Sequence, residues 1–471
     1  MNADSARPTA NRGLFVCYLA LLLWVPVPLG SNRPWSWAIL ELWVFALAIW
    51  WLAGFARGTT NRSAALKGAW PALLCGALWL AYVWLQLLPL PLELLKVLSP
   101  EAARLHAAAA FPGHAGAAPL TLDRYATFDG ALKSAAYIAF FALSLALLNR
   151  RNRIAAAAYT LIISGFAQAM YGGLMALTAS EPNATAHGSY VNRNHFAGYL
   201  EMCLSIGLGV LVGSLTGEAS RTWKQFFRNI IAWVLSPKMR LRLALAVMVI
   251  ALVLSRSRMG NSAFFISMLV TGGIALVLSK RAPRSMVILI ATLVVIDIFI
   301  VGAYFGVQKV VDRIEQTQME SERGEVVLSL DVWKDYPVFG SGLGTFRVVF
   351  PHYRGPDLVG FYTHAHNDYI EFACETGIVG LALLGLIVLM SFIAALRAQY
   401  ERGDPLLRGI SFGSMMGIIA LMIHSTVDFN LQIPANALTF MLLLAFAWIS
   451  LYHDRRRHTR EMPDDEDDDT T

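Results

Sequence analysis

Charge is scarce in this chain. Only 15% of its 471 residues are Asp, Glu, Lys or Arg, against 56% apolar and 11% aromatic, a balance that soluble globular domains do not show. The composition therefore excludes a water-soluble enzyme and requires an integral membrane protein. Cysteine is also sparse. Cys17, Cys75 and Cys203 fall in apolar stretches and Cys374 at the edge of another, so neither a disulfide nor a zinc site is expected. There is no His-Glu-x-x-His, and no Asp-x-Asp triplet outside the acidic tail, so the sequence predicts no metal and no other cofactor. No internal repeat and no basic-aromatic module is visible, and nucleic acid is not an expected partner.

Long apolar runs are what the chain does have. Runs able to cross roughly 30 Å of hydrocarbon lie near 13–30, 35–56, 69–90, 131–148, 154–178, 195–215, 241–255, 260–279, 285–306, 376–396, 409–427 and 436–452. These predict an all-α polytopic membrane protein of about twelve transmembrane helices. The first run contains Pro26 and Pro28, and no small-x-small cleavage site follows it, so it reads as a retained helix rather than a signal peptide.

Basic loops stay in the cytoplasm. Placing the N-terminus there assigns most of the 38 Lys and Arg residues to cytoplasmic segments, from Arg7 and Arg12 to the Arg455, Arg456, Arg457 and Arg460 cluster. The net charge of +6 is then a topology signal and an attraction to anionic membrane lipid. Both termini are expected to be cytoplasmic. Residues 1–454 read as one transmembrane domain and 455–471 as a charged, disordered tail.

Two outer segments carry soluble structure. The first, about 91–130, combines four prolines with an Ala-rich stretch and predicts a short interfacial helix beside irregular chain. The second, 307–372, lies between the ninth and tenth helices and predicts short helices. It runs from a polar helical pattern through Arg323 and Trp333 to the glycine-rich turn Gly340, Gly342 and Gly344, and ends at Thr363-His364-Ala365-His366-Asn367-Asp368-Tyr369. Two imidazoles, an amide, a carboxylate and a phenol in seven residues, at the mouth of an apolar run, suit proton transfer to a substrate arriving from lipid.

Other outer connections add to this group. Ser255-Arg256-Ser257-Arg258 holds two guanidiniums on the side where positive charge is disfavoured, and a bound phosphate would explain them; interfacial snorkelling or an ion pair is the plainer alternative. Asn192-Arg193-Asn194-His195 opens a helix, where free N–H groups favour an anion. An Asn cap explains the asparagine and leaves Arg193 and His195 to explain. At most one of His364 and His366 is expected to be the catalytic group. Glu41, Glu201 and Asp297 are ionisable groups within or near membrane helices and therefore candidates.

With these residues in order, the chain resembles the O-antigen ligase and polymerase superfamily over roughly 160–450. The carrying motifs are Ser255 to Gly260; Arg323 followed by Trp333, Pro337, Gly340, Gly342, Gly344 and Phe346; His364, His366, Asn367 and Tyr369 followed by Glu375, Gly377 and Gly380; and Val191 to Gly198. The resemblance implies a metal-independent, inverting glycosyltransferase of the bacterial inner membrane. Its donor would be a glycan on undecaprenyl diphosphate, and its acceptor lipid A-core or another glycan at the periplasmic face. It implies His366, Arg323 and a turn arginine as the catalytic core. Arg258 fits the spacing to Gly260 better than Arg256, and both stay open as the functional one.

The physical chemistry agrees with this set. Arg258 and Arg323 would stabilise the departing diphosphate, and His366 would accept the acceptor proton, with Asn367 or Asp368 fixing its tautomer. Arg256, Arg193, His195, Asn192 and His364 would bind substrate, and Trp333, Tyr353 and Tyr362 could stack on sugars. A polysaccharide polymerase uses the same donor, so this sequence does not separate it from a ligase. A protein O-oligosaccharyltransferase is less expected because the chain stops soon after the last helix. A transporter is less expected because its polar residues would lie at mid-membrane in related halves.

Overall fold

The computed structural model describes residues 12–109, 116–181, 184–214, 237–278, 328–354 and 362–453. They form helices α1 (Arg12–Trp24), α2 (Pro34–Ala56), α3 (Ala64–Gly68), α4 (Trp70–Leu87), α5 (Leu92–Leu98), α6 (Pro100–Ala109), α7 (Arg124–Leu147), α8 (Arg151–Thr178) and α9 (Arg193–Gly213). The remainder are α10 (Pro237–Leu254), α11 (Arg258–Leu278), α12 (328–335), α13 (Phe346–Val349), α14 (Asp368–Glu401), α15 (Pro405–His424) and α16 (Pro434–Tyr452). Among the described residues nine helices are long and apolar enough to cross a membrane, namely α2, α4, α7, α8, α9, α11, α14, α15 and α16. The protein is thus a multi-pass helical membrane protein. Its only described sheet is a two-residue antiparallel pairing of Leu90–Pro91 with Ala117–Ala118.

Local departures from the sequence expectations have physical causes. α1 stops at Trp24, short of the expected residue 30, because Pro26 and Pro28 cannot extend its hydrogen-bond ladder. α7 begins seven residues early, where Asp123 caps it by accepting from the N–H groups of Tyr125 and Ala126. α14 begins at Asp368 rather than near residue 376, so the histidine motif runs straight into a helix. The expected helix 285–306, Asp297, Arg323 and the tail 455–471 lie outside the described residues.

The centre of the bundle is a seam of small residues. Ser205, Gly209 and Gly213 on α9 recur every four positions, as do Gly409, Gly413 and Gly417 on α15. A side chain at Gly409 would strike the carbonyl of Gly209, and one at Gly413 would meet the backbone of Ser205 and Ile206. Backbones this close let dispersion and packing hold the pair together where hydrophobic exclusion from water is lacking. α16 is almost wholly buried beside them.

The glycine-rich turn is anchored against α14. Gly340, Gly342 and Gly344 all have φ in the left-handed region, at 70°, 114° and 81°, as a tight turn requires. α14 kinks at Gly377, φ 58° and ψ −168°, where a side chain would collide with the carbonyl of Val338. From α4, Tyr82 Oη donates to the carbonyls of Phe339 at 2.6 Å and Thr376 at 2.8 Å. Gln86 Nε2 adds a bond to Phe339 O at 2.9 Å, and Gln86 Oε1 accepts from Leu343 N at 3.1 Å. These bonds tie the turn to the start of α14.

Candidate functional site

Three segments distant in sequence meet at one end of the bundle, around the ring of Phe429. His364 stacks on that ring with centroids 4.2 Å apart and planes at 16°. His366 meets it edge-on at 4.9 Å and 76°, and His195 at 4.5 Å and 71°. The chain at 362–367 is irregular rather than a strand, and His366 has φ 46°. Both histidines of the motif thus meet the same aromatic ring.

Asn192 caps α9 by accepting from Asn194 N at 2.8 Å. Arg193, one step on, is exposed, whereas His195 is buried with its Nε2 3.4 Å from Asp428 Oδ1. His195 thus packs against Phe429 from within the bundle. Asp428 Oδ2 also lies 3.7 Å from His424 Nε2, and His424 Nδ1 lies 2.8 Å from Glu201 Oε1. Glu201, His424 and Asp428 are fully enclosed. The asparagines complete the network: Asn430 Nδ2 donates to Asp428 Oδ2 at 3.2 Å, and Asn436 Nδ2 donates to Asn430 Oδ1 and to the His195 carbonyl, both at 2.9 Å. Burial opposes ionisation of Asp428, but His195, by charge and hydrogen bond, and then His424 outweigh it and hold this carboxyl below its ordinary value.

The arginine turn joins the same end. Ser255 Oγ donates to Leu252 O at 2.6 Å, Ser257 Oγ accepts from Gly260 N at 3.2 Å, and Asn261 Nδ2 donates to Ser257 O at 2.7 Å. These bonds fix a turn in which Arg256 adopts φ 53°. A side chain at Gly260 would lie 2.6 Å from Ala197 Cβ and 3.0 Å from Glu201 Oε1, so the turn sits directly on the Glu201 end of the network. Arg258 is exposed at the first position of α11 and Arg256 half-buried.

Asn367 and Asp368 make structural bonds of their own. Asn367 caps α14 by accepting from Ile370 N at 3.1 Å, and its amide donates to Thr426 O at 2.8 Å. Asp368 Oδ2 accepts from Ser425 Oγ at 2.7 Å and Leu431 N at 3.1 Å. Together they staple the histidine motif to the α15–α16 connection. Glu371 holds the first imidazole of the motif: its Oε1 lies 2.7 Å from His364 Nδ1, and its Oε2 accepts from Ala365 N at 2.8 Å. Burial disfavours a charged His364, yet the charge and hydrogen bond of Glu371 prevail and raise its pKa above the usual histidine value. One turn further, the enclosed Glu375 accepts from Phe346 N at 3.1 Å and ties the glycine-rich turn to the motif.

Trp333, Tyr353 and Tyr362 pack into a small core of the outer segment, with Val332, Phe346 and Phe350. Tyr362 sits edge-on to Phe350 at 5.9 Å, and Tyr353 Oη donates to Asp335 at 2.6 Å. Their partly buried rings help build the segment.

Beside the motif opens a cavity of about 1110 Å³. His364, Glu371, Glu375, Arg347 and Lys133 give it polar chemistry, and Leu384, Phe392, Ile418, Phe440 and Leu444 are among its many apolar walls. Its lining follows α14 from Glu371 to Phe392, a length of roughly 30 Å at helical rise. A long, apolar cleft with charge at one end matches a lipid carrying a polar head. Among the described residues no group of three or more His, Cys, Asp or Glu side chains is arranged to hold a metal ion.

Glu201, His424, Asp428, Phe429 and Glu371 form the framework that motif reading did not assemble. Glu201 is visible in the sequence as an acid in an apolar helix, but its pairing with His424 is not. Residues 243–385 match the family model described as O-Antigen ligase. This match supports the O-antigen ligase superfamily and a ligase- or polymerase-like function. It covers the arginine turn, the glycine-rich turn and the histidine motif. No curated protein matches the chain significantly.

Proposed function

We propose that this protein is a glycosyltransferase of the bacterial inner membrane that moves a glycan from undecaprenyl diphosphate to an acceptor hydroxyl at the periplasmic face, as an O-antigen ligase does. The observation that carries the reading is the meeting of the histidine motif, the α9 start and the α15–α16 connection on Phe429, beside a cleft shaped for a lipid with a charged head.

The acceptor oxygen attacks the anomeric carbon from the face opposite the diphosphate, and the carbon–oxygen bond to the diphosphate breaks with inversion. His366 takes the acceptor proton. Arg258 and Arg323 stabilise the negative charge gathering on the departing phosphates, with Arg256 and Arg193 as further phosphate contacts. A diphosphate is already a good leaving group, so charge stabilisation without a metal suffices.

Deleting the gene and separating the cell-surface polysaccharide on a gel tests the reading. Lipid A-core left bare supports ligation. Single repeat units left attached to lipid A-core identify a polymerase, the second reading, since the same donor chemistry serves both. An unchanged gel overturns both.

A further inference from the structure

Three cavity-facing groups of the motif region, His364, Glu371 and Glu375, have no role in the chemistry above. His364 has one ring nitrogen held by Glu371 at 2.7 Å and one ring face covered by Phe429, and it lines the cavity. That leaves its Nε2 edge for the cavity. His366 meets the same Phe429 ring edge-on and is not part of the cavity lining. The aromatic ring therefore separates two imidazoles with different surroundings.

We propose that His364, positioned by Glu371, contacts the diphosphate head of the lipid donor and donates a hydrogen bond from Nε2 to the oxygen that leaves the sugar. The proposal rests on the glycan-transfer reading and divides its labour: one histidine receives the acceptor proton, the other holds the leaving group. The acceptor O–H proton goes to His366, the new bond forms between acceptor oxygen and anomeric carbon, and the old bond's electron pair stays on the diphosphate. His364 keeps its proton throughout, so the step balances.

Electrostatics favour this division. Glu371 sustains positive charge on His364, with smaller contributions from Glu375 and Asp368 on the same helix. Across the cavity lie Arg347 on α13 and, on α7, Lys133 paired with Asp129 at 2.7 Å; His366 and His195 touch the ring of Phe429. A cationic imidazole with its other nitrogen anchored is a directed donor for phosphate oxygen. Its charge is present below its raised pKa and lost as pH rises through it.

The test is binding rather than turnover. Full-length protein in detergent is titrated with undecaprenyl diphosphate and with undecaprenyl monophosphate, and the ratio of affinities is followed from pH 6 to 9 by native mass spectrometry. Wild type is expected to prefer the diphosphate and to lose that preference as pH rises. His364→Gln and Glu371→Gln each reduce the preference about tenfold at pH 7, Glu371→Gln also moving the loss to lower pH, while His364→Arg keeps the preference at every pH. A His364→Gln protein with the wild-type preference and pH response overturns the proposal and leaves the transfer reading intact. A wild-type protein that binds neither lipid overturns both. Should His364→Gln not yield a monodisperse protein, the comparison of wild type with His364→Arg decides: identical pH responses overturn the proposal.

Discussion

Asp428 and His195 face each other at 3.4 Å, a carboxylate from the α15–α16 connection against an imidazole from the first turn of α9. Both are buried, so the pair locks two chain segments together where water cannot substitute for either partner. Removing one partner of such a pair costs on the order of 3–5 kcal/mol because the other is left stranded. Asp428→Asn is therefore expected to lower the unfolding temperature in detergent at pH 7. The pH dependence has a definite sign. Because the folded pKa of Asp428 is depressed, its ionised form stabilises the protein above the ordinary aspartate value of about 3.9. That contribution is lost as pH falls through the lower folded value. The asparagine variant should lose this part of the acid limb, which thermal unfolding between pH 3 and 7 would measure.

Phe429 is the shared wall of three imidazoles, and its ring orients them more than it binds anything itself. Phe429→Ala leaves all three without a packing surface. We expect transfer to fall about 100-fold, the size of effect that an ångström-scale misplacement of reacting groups produces, with the protein still present in the membrane. Phe429→Tyr, which keeps the ring, should retain most of the rate. Equal losses in the two variants would show that the ring has no orienting role.

Arg258→Ala, Arg323→Ala and His366→Ala are each expected to reduce transfer by about 10²–10³ in turnover, the usual consequence of deleting one stabilising donor or a general base. The measurement is product formed from a lipid-diphosphate donor by variants purified at equal yield. Near-wild-type rates for Arg323→Ala and His366→Ala would remove the assignment.

The glycine positions make a separate prediction about how fold reaches site. Gly377 occupies a backbone region that other residues enter at a cost of about 1–3 kcal/mol, and a side chain there also collides with Val338. Gly377→Ala should destabilise the protein by at least that much and loosen the link between the glycine-rich turn and the histidine motif. Gly409→Val should force α9 and α15 apart and so separate Glu201 from His424. Limited proteolysis and thermal unfolding would register both, and unchanged profiles would mean that the close approaches are not needed.

Much of the site was legible as chemistry and little of it as geometry. The arginine turn, the histidine motif and the α9 start could each be picked out because charged and titratable residues are conspicuous in an apolar chain. Gly340, Gly342 and Gly344 were recognisable as a tight turn because glycine is the residue that positive φ demands. The partner of His364 was not legible: Glu371 sits one helical turn inside α14, and its relevance depends on where that helix begins. Asn367 and Asp368 stand out there by proximity to His366 alone; the helix cap and the bonds with Thr426, Ser425 and Leu431 that they make depend on the fold.

The amino-acid sequence alone determined that this chain lives in a membrane as a helical bundle and that its candidate site residues belong to the connections. Hydrophobic length and the cost of burying charge are local properties, additive along the chain. Only the tertiary structure decided that Glu201, His424, Asp428 and His195 form one buried network and that two histidines share Phe429. Those contacts depend on how closely α9 and α15 approach and on the backbone twist at His366, which arise from packing among distant segments and have no signature at any single position.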